Sequence, residues 1–182
     1  MPTIYLVRHG RAAAGWDADH DPGLDDEGRA QARDVVETLA PLGPLDLIVS
    51  PMARTRETAT PLARAWITEP RIEPRLSEIP SPIEDLAARG RWLRDIMTKD
   101  WSGLDPVLRR WREDVLTAVT AIAADTVVVT HFIVINVIVG AIIGDDRVVN
   151  FRPGYCSVTI VRRDGDRLVL AQRGSEGTTR VL

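Results

Sequence analysis

An α/β fold, a three-layer α/β/α sandwich around a mostly parallel central sheet, is predicted by three observations along this chain. Short apolar, partly β-branched runs recur at Thr3 to Val7, Leu45 to Val49 and Thr126 to Val129, and such runs suit strands buried on both faces. Helical patterns lie between them: Ala32, Val35, Val36 and Leu39 share one face, and Met52, Thr55, Ala59, Leu62, Ala63 and Trp66 share another. No repeat, low-complexity tract or linker divides the chain, so strand and helix alternate through a single expected domain, residues 1–182.

The element boundaries have local reasons. Ser50-Pro51 and Asp105-Pro106 each place a capping side chain before a proline, which predicts two helix starts. The helix after Asp105 carries Leu108, Trp111, Val115, Val119 and Ile122 inward. Tyr155 to Ile160 and Arg167 to Gln172 return to a β pattern, and Asp164-Gly165 predicts the turn of a hairpin at a sheet edge. The apolar run from Phe132 to Ile143 contains Asn136 and is too short for a bilayer, which takes about 20 residues, so it reads as core. Two stretches lack a clear pattern, Ala13 to Gly23 and Ser77 to Gly103, and both are expected to cover a site. Trp92 and Trp101, in the second, are expected to pack.

A domain of this length buries roughly 70% of the surface its unfolded chain exposes, so no metal or disulfide staple is needed. The hydrophobic share of 45% and charged share of 27% fit a compact soluble protein. A formal charge of −3 gives nucleic acid no net attraction and argues against it as a partner. The single cysteine, Cys156, excludes an internal disulfide, suits a reducing, cytoplasmic setting, and reads as a small buried apolar residue. The N-terminus has neither a basic region nor a cleavage site and reads as a first strand, which leaves no expected membrane association. Oligomeric state is left open by the sequence.

Ligands of open α/β sheets gather outside the carboxyl ends of the strands. Here the first strand runs into Arg8-His9-Gly10-Arg11, the second into Ser50-Pro51-Met52-Ala53-Arg54, and the third into Thr130-His131. Two histidines and at least two arginines therefore meet at one edge. A neutral imidazole can attack phosphorus once cations offset the charge of a phosphate dianion. Arg8 and Arg54 suit that task, because a guanidinium is permanently charged and grips two phosphate oxygens. Gly10 would let backbone pass close to the ligand. Arg11 would either join the pocket or remain an exposed structural charge.

These residues resemble the histidine phosphatase (phosphoglycerate mutase-like) superfamily. Leu6-Val7-Arg8-His9-Gly10 looks like its Arg-His-Gly opening, and Leu24-Asp25-Asp26-Glu27-Gly28-Arg29-Ala30-Gln31-Ala32 looks like its Leu-Thr-x-x-Gly-x-x-Gln-Ala helix start, with Asp25 in the capping position. Ser50-Pro51-Met52-Ala53-Arg54-Thr55-Arg56-Glu57-Thr58-Ala59, Leu76-Ser77-Glu78 and Val127-Val128-Val129-Thr130-His131 follow in the family's order. The resemblance implies a phosphatase acting through phospho-His9. It makes Glu78 the acid and then the base, with Arg8, Arg54 and His131 on the phosphoryl oxygens and no metal or other cofactor. His9, Glu78 and His131 are thus the expected catalytic residues, with Glu84 or Asp85 as the fallback acid.

Two departures from the family pattern disfavour a mutase. Ala12-Ala13-Ala14-Gly15-Trp16 lacks the Asn of that branch, and Ile79-Pro80-Ser81-Pro82-Ile83-Glu84 replaces its Gly-x-x-Glu-Gly. Arg8-His9-Gly10-Arg11-Ala12 also resembles the short phosphohistidine phosphatases, so the implied partner is a phosphorylated small molecule or a phosphoprotein. A catalytically weak phosphate-binding regulatory module is the rival reading if Phe132 or the segment after Glu78 spoils turnover. Phe132 is expected to pack. The acidic loop Asp17-Ala18-Asp19-His20-Asp21 reads as solvated, without the ligand order of a metal site.

Overall fold

The computed structural model describes residues 1–177. Its strands form one six-stranded sheet in the order β3-β2-β4-β1-β5-β6, made of β1 (Thr3–Arg8), β2 (Asp46–Val49), β3 (Arg71–Ile72), β4 (Thr126–Thr130), β5 (Val158–Asp164) and β6 (Arg167–Gln172). The first four strands of that order run parallel, and β5 and β6 add antiparallel to the β1 edge. The mostly parallel α/β sandwich expected from the sequence is what forms.

Alternation along the strands divides the core into two layers. Ile4 and Leu6 of β1, Ile48 of β2 and Val128 of β4 pack on one face, with α3 (Leu86–Ile96), α4 (Pro106–Thr120) and α5 (Phe132–Ile143). Val7, Leu47, Val49, Val127 and Val129 pack on the other, with α1 (Asp26–Leu39) and α2 (Ala53–Trp66). Trp101 is buried in the first layer and Trp92 rests against it, as expected of both. The Phe132 to Ile143 run is the otherwise apolar helix α5, whose buried Asn136 spends its amide on the chain. Its Oδ1 accepts from Asn150 N at 2.8 Å and Phe151 N at 3.1 Å, and its Nδ2 donates to Phe132 O at 3.0 Å.

Local chemistry corrects several boundaries. Asp105 caps α4 through Val107 N at 2.8 Å and Asp25 caps α1 through Gly28 N at 2.7 Å, both as the sequence indicates. Ser50 does not begin a helix at Pro51: α2 starts at Ala53, whose N–H is taken by Asp21 Oδ1 at 2.9 Å from a remote loop. The strand expected from Tyr155 begins at Val158, because Cys156 adopts φ 53°, a left-handed conformation that interrupts extended backbone. Cys156 is half-buried rather than fully so, and burial pushes its thiol up to about 12. The hairpin turns on Gly165-Asp166, one residue later than expected, with Gly165 supplying φ 60°. Ser77 to Gly103 contains α3, whose three buried residues Gly90, Leu93 and Ile96 are too few to give a sequence pattern.

The segment after β1 is clamped to α1. Asp25 N donates to Arg11 O at 3.1 Å and Ala13 N to Gly23 O at 2.9 Å, and a Cβ at Gly10 would lie 2.6 Å from Gly28 O. Gly10 is therefore needed for the approach of α1. A Cβ on Gly28 would overlap the backbone of Arg11. Gly28→Ala gains helix propensity of about 1 kcal/mol, yet backbone must move to admit it. We expect a net loss of about 1–3 kcal/mol in urea unfolding; a stabilised variant would show that the clamp is loose.

Candidate active site

Parallel register brings three strand ends level. Val129 pairs with both Val7 and Val49, and Thr130 pairs with Arg8, so His9, His131 and Ser50 leave adjacent strands side by side. His9 N donates to Thr130 O at 3.0 Å and Ser50 N to Val129 O at 3.2 Å, extending the ladder one residue beyond the sheet. The two imidazoles meet edge to face with centroids 5.3 Å apart.

His9 is 6% exposed at the floor of a cleft of about 1170 Å³. Its Nδ1 lies 2.7 Å from the carbonyl oxygen of Gly10, which accepts only from a protonated nitrogen and so leaves the Nε2 lone pair available. Arg54 Nε–H points at that Nε2 from 3.2 Å. Burial first, then the charges of Arg54 and Arg8, hold His9 well below its ordinary 6.5, so the ring is neutral. His131 is depressed for the same reasons, and its Nε2 lies 2.7 Å from Ser50 Oγ. Ser50, expected as a helix cap, is thus a support for His131. His131 is fully buried beside His9 rather than in the cleft wall, and its Nδ1 has no hydrogen-bond partner among the described residues.

Arg8 is held between aromatic faces, its guanidinium carbon 4.1 Å from the Tyr155 ring centre and 5.1 Å from that of Phe132, with Nη1 donating to Pro153 O at 2.9 Å. Burial draws it down to about 10, which leaves it charged at neutral pH. Phe132 packs in the core, as expected, and its ring also lines the cleft. Glu78 reaches the same cleft because Thr130 Oγ1 donates to Leu76 O at 2.8 Å, tying its segment to the end of β4. Desolvation raises the Glu78 carboxyl above 4.5, opposed by Arg54, by the N–H groups of Ile79 and Ile133, and by Arg8. Arg11 lines the rim, but its guanidinium is committed to Asp25 and Glu27.

Residues 4–175 match the family model described as histidine phosphatase superfamily (branch 1). The chain belongs to the histidine phosphatase superfamily. It is 36% identical over 85 residues to the probable phosphoglycerate mutase GpmB of Enterobacter sp. (strain 638), a match covering 43% of this chain and 39% of that protein. It is 35% identical over 111 residues to a probable phosphatase of Schizosaccharomyces pombe, covering 57% of this chain and 51% of that one. The chain thus spans between about two fifths and half of the length of these curated relatives. Among solved structures, Bacillus stearothermophilus YhfR superposes with a TM-score of 0.80 at 21% identity, covering 97% of this chain and 98% of that one. A mycobacterial glucosyl-3-phosphoglycerate phosphatase superposes with a TM-score of 0.71 at 21% identity, covering 97% and 100%. Both likenesses speak for the histidine phosphatase fold.

Sequence reasoning missed the supporting parts of this site. Tyr155 was read only as a strand residue, and Trp16, His20 and Arg89 line the cleft from the two segments without a pattern. The acidic loop rims the cleft, and no cluster of metal-ligating side chains occurs among the described residues. Nor is any helix there long and apolar enough to cross a membrane.

Neutral burial of His9 and His131 has a thermodynamic consequence. Below about pH 6.5 each histidine takes up a proton in the unfolded chain but not in the folded one, so stability falls as pH is lowered, by up to ~1.4 kcal/mol per pH unit for each. Glu78, raised in the folded state, opposes this closer to its own range. Urea unfolding at pH 7 and pH 5.5 should show a smaller loss in His9→Ala than in wild type. An identical loss would mean that His9 is protonated in the folded protein.

Proposed function

We propose that this protein is a phosphomonoesterase that turns over a small phosphorylated metabolite through a phosphohistidine at His9. The observation carrying this reading is the Nδ1 contact with Gly10, which leaves a neutral Nε2 facing a cleft whose floor holds the guanidinium groups of Arg8 and Arg54. Family membership supports phosphoryl chemistry, and the burial of His9, 6% exposed, favours a small ester over a protein-borne phosphate. We place the protein in the cytoplasm, which its unpaired thiol suits.

In the first step the Nε2 lone pair attacks phosphorus, the ester P–O bond breaks, and the departing oxygen takes the Glu78 proton. An alkoxide is a poor leaving group, so a carboxyl kept protonated by desolvation lowers this barrier. In the second step Glu78, now a carboxylate, removes a proton from water as its oxygen attacks phosphorus. The P–N bond breaks and returns the electron pair to His9. Arg8 and Arg54 offset the equatorial oxygen charge, and His131, buried against His9, holds the nucleophile's ring edge to face. The chain itself therefore supplies nucleophile, acid and cations.

Wild type should hydrolyse 4-nitrophenyl phosphate without added metal and in the presence of chelator, and rapid quenching should trap phosphate on His9 by mass spectrometry. His9→Ala should lose at least about 10³-fold in kcat; equal turnover in that variant would end the proposal. Glu78→Gln should slow alkyl phosphates by about 10²-fold or more while 4-nitrophenyl phosphate, whose leaving group needs little protonation, suffers far less. In wild type the alkyl rate should decline as pH rises through the elevated Glu78 range, a limb that Gln removes. Equal losses on both ester classes would take Glu78 out of the acid role.

A further inference from the structure

The cleft is much larger than a phosphoryl group, and its wall carries a cation that the chemistry above leaves unused. Arg89, on α3, lays its guanidinium carbon 4.1 Å from the Trp16 ring centre and places Nη1 3.0 Å from His20 Nδ1. All three residues line the same cleft as His9 and Arg54. Gly90 makes the arrangement possible: a Cβ there would lie 2.8 Å from Asp17 Cβ, so a larger residue would push α3 away from the loop that carries Trp16.

The partners of Arg89 are unusual for a surface arginine. A ring face and an accepting imidazole nitrogen hold its orientation without neutralising it, and no carboxylate forms an ion pair with it among the described residues. Other acids at the rim are tied elsewhere: Glu27 to Arg11, and Glu176 to the backbone N–H of Arg152. Asp19 is the acid whose field Arg89 feels, and it accepts from Asp21 N at 3.0 Å. Arg54, on the floor of the same cleft, is lowered by burial and pairs with Asp21 at 3.9 Å, so it leaves Arg89 as the cation of the opposite wall. A guanidinium already fixed by stacking loses little freedom on binding an anion, and its planar fork suits a carboxylate or phosphate.

We propose that Arg89, stacked on Trp16, forms a second anion subsite that selects phosphate monoesters whose alcohol portion carries a further anionic group, a carboxylate or a second phosphate. This rests on the phosphatase reading, with the ester phosphate at His9 and the second anion at α3.

The test uses matched pairs that differ only in the remote group: carboxyethyl phosphate against propyl phosphate, and propanediol bisphosphate against hydroxypropyl phosphate. Wild type should favour the anionic member of at least one pair by about tenfold or more in kcat/KM at low salt, mainly through KM. Added salt should shrink the preference, since the rim is open to solvent. The pair with the larger ratio identifies carboxylate or phosphate as the preferred anion. Arg89→Ala should bring that ratio close to one, and Arg89→Lys, which keeps charge but loses the stacked plane, should retain part of it. Equal kcat/KM within both pairs, or a preference that survives Arg89→Ala, overturns the subsite while turnover of 4-nitrophenyl phosphate leaves the phosphatase reading standing. If wild type hydrolyses no ester at all, that reading fails instead, and calorimetric binding of the same pairs to wild type and Arg89→Ala decides the subsite by the same ratios.

Discussion

Keeping a neutral imidazole in contact with two buried arginines is the constraint around which the rest of this structure is arranged. Left to solvent, His9 would titrate near neutrality; left between free cations, it would have no fixed tautomer. The fold supplies both corrections through backbone. Parallel pairing of β1 with β4 and of β4 with β2 sets the depth at which His9 and His131 emerge. The carbonyl of Gly10 fixes which ring nitrogen carries the proton. Gly10 and Gly28 then allow α1 to press on the segment that holds this carbonyl in place.

The arginines need equally firm restraint, because a guanidinium free to swing would pair with the nearest carboxylate. Arg8 is caged by the rings of Tyr155 and Phe132 and by Pro153 O, on a segment anchored through Asn150 and Phe151 to Asn136 in the apolar helix α5. A lone polar side chain in an otherwise apolar helix thus fastens one wall of the cleft from outside it. Buried amides are retained when every atom is satisfied, and here both Asn136 side-chain groups are.

The parts of the molecule legible in the sequence are those where one residue type answers one physical demand. Strands buried on both faces show as apolar runs, Asp25 and Asp105 mark helix starts, Arg8 ends a strand, His9 and His131 follow strands, and Arg54 opens a helix. What stayed illegible depends on distant partners. Ser50 was mistaken for a cap because its use is set by His131, 81 residues away, while the true partner of Ala53 N comes from Asp21. Helix α3 buries one side of a short segment, and Arg89 becomes noticeable only once Trp16 lies beneath it. Cys156 carries no local mark of the left-handed backbone that delays β5.

Charge at rest gives the site its logic. Burial lowers the affinity of His9 for a proton and raises that of Glu78, so desolvation shifts the two in opposite directions, each towards its neutral form. Both shifts favour the forms that the proposed first step consumes. Arg8 and Arg54 cannot be neutralised in this way, since even Arg8, drawn down to about 10, stays charged at neutral pH. The cleft floor consequently keeps both charges, tempered by Asp21 and Glu78, and the proposed phosphate dianion would complete the balance. On the proposed reading that balance does more than bind. As the dianion settles on the arginines it draws Arg54 Nε–H from the His9 lone pair towards the phosphoryl oxygens, so that binding itself uncovers the nucleophile.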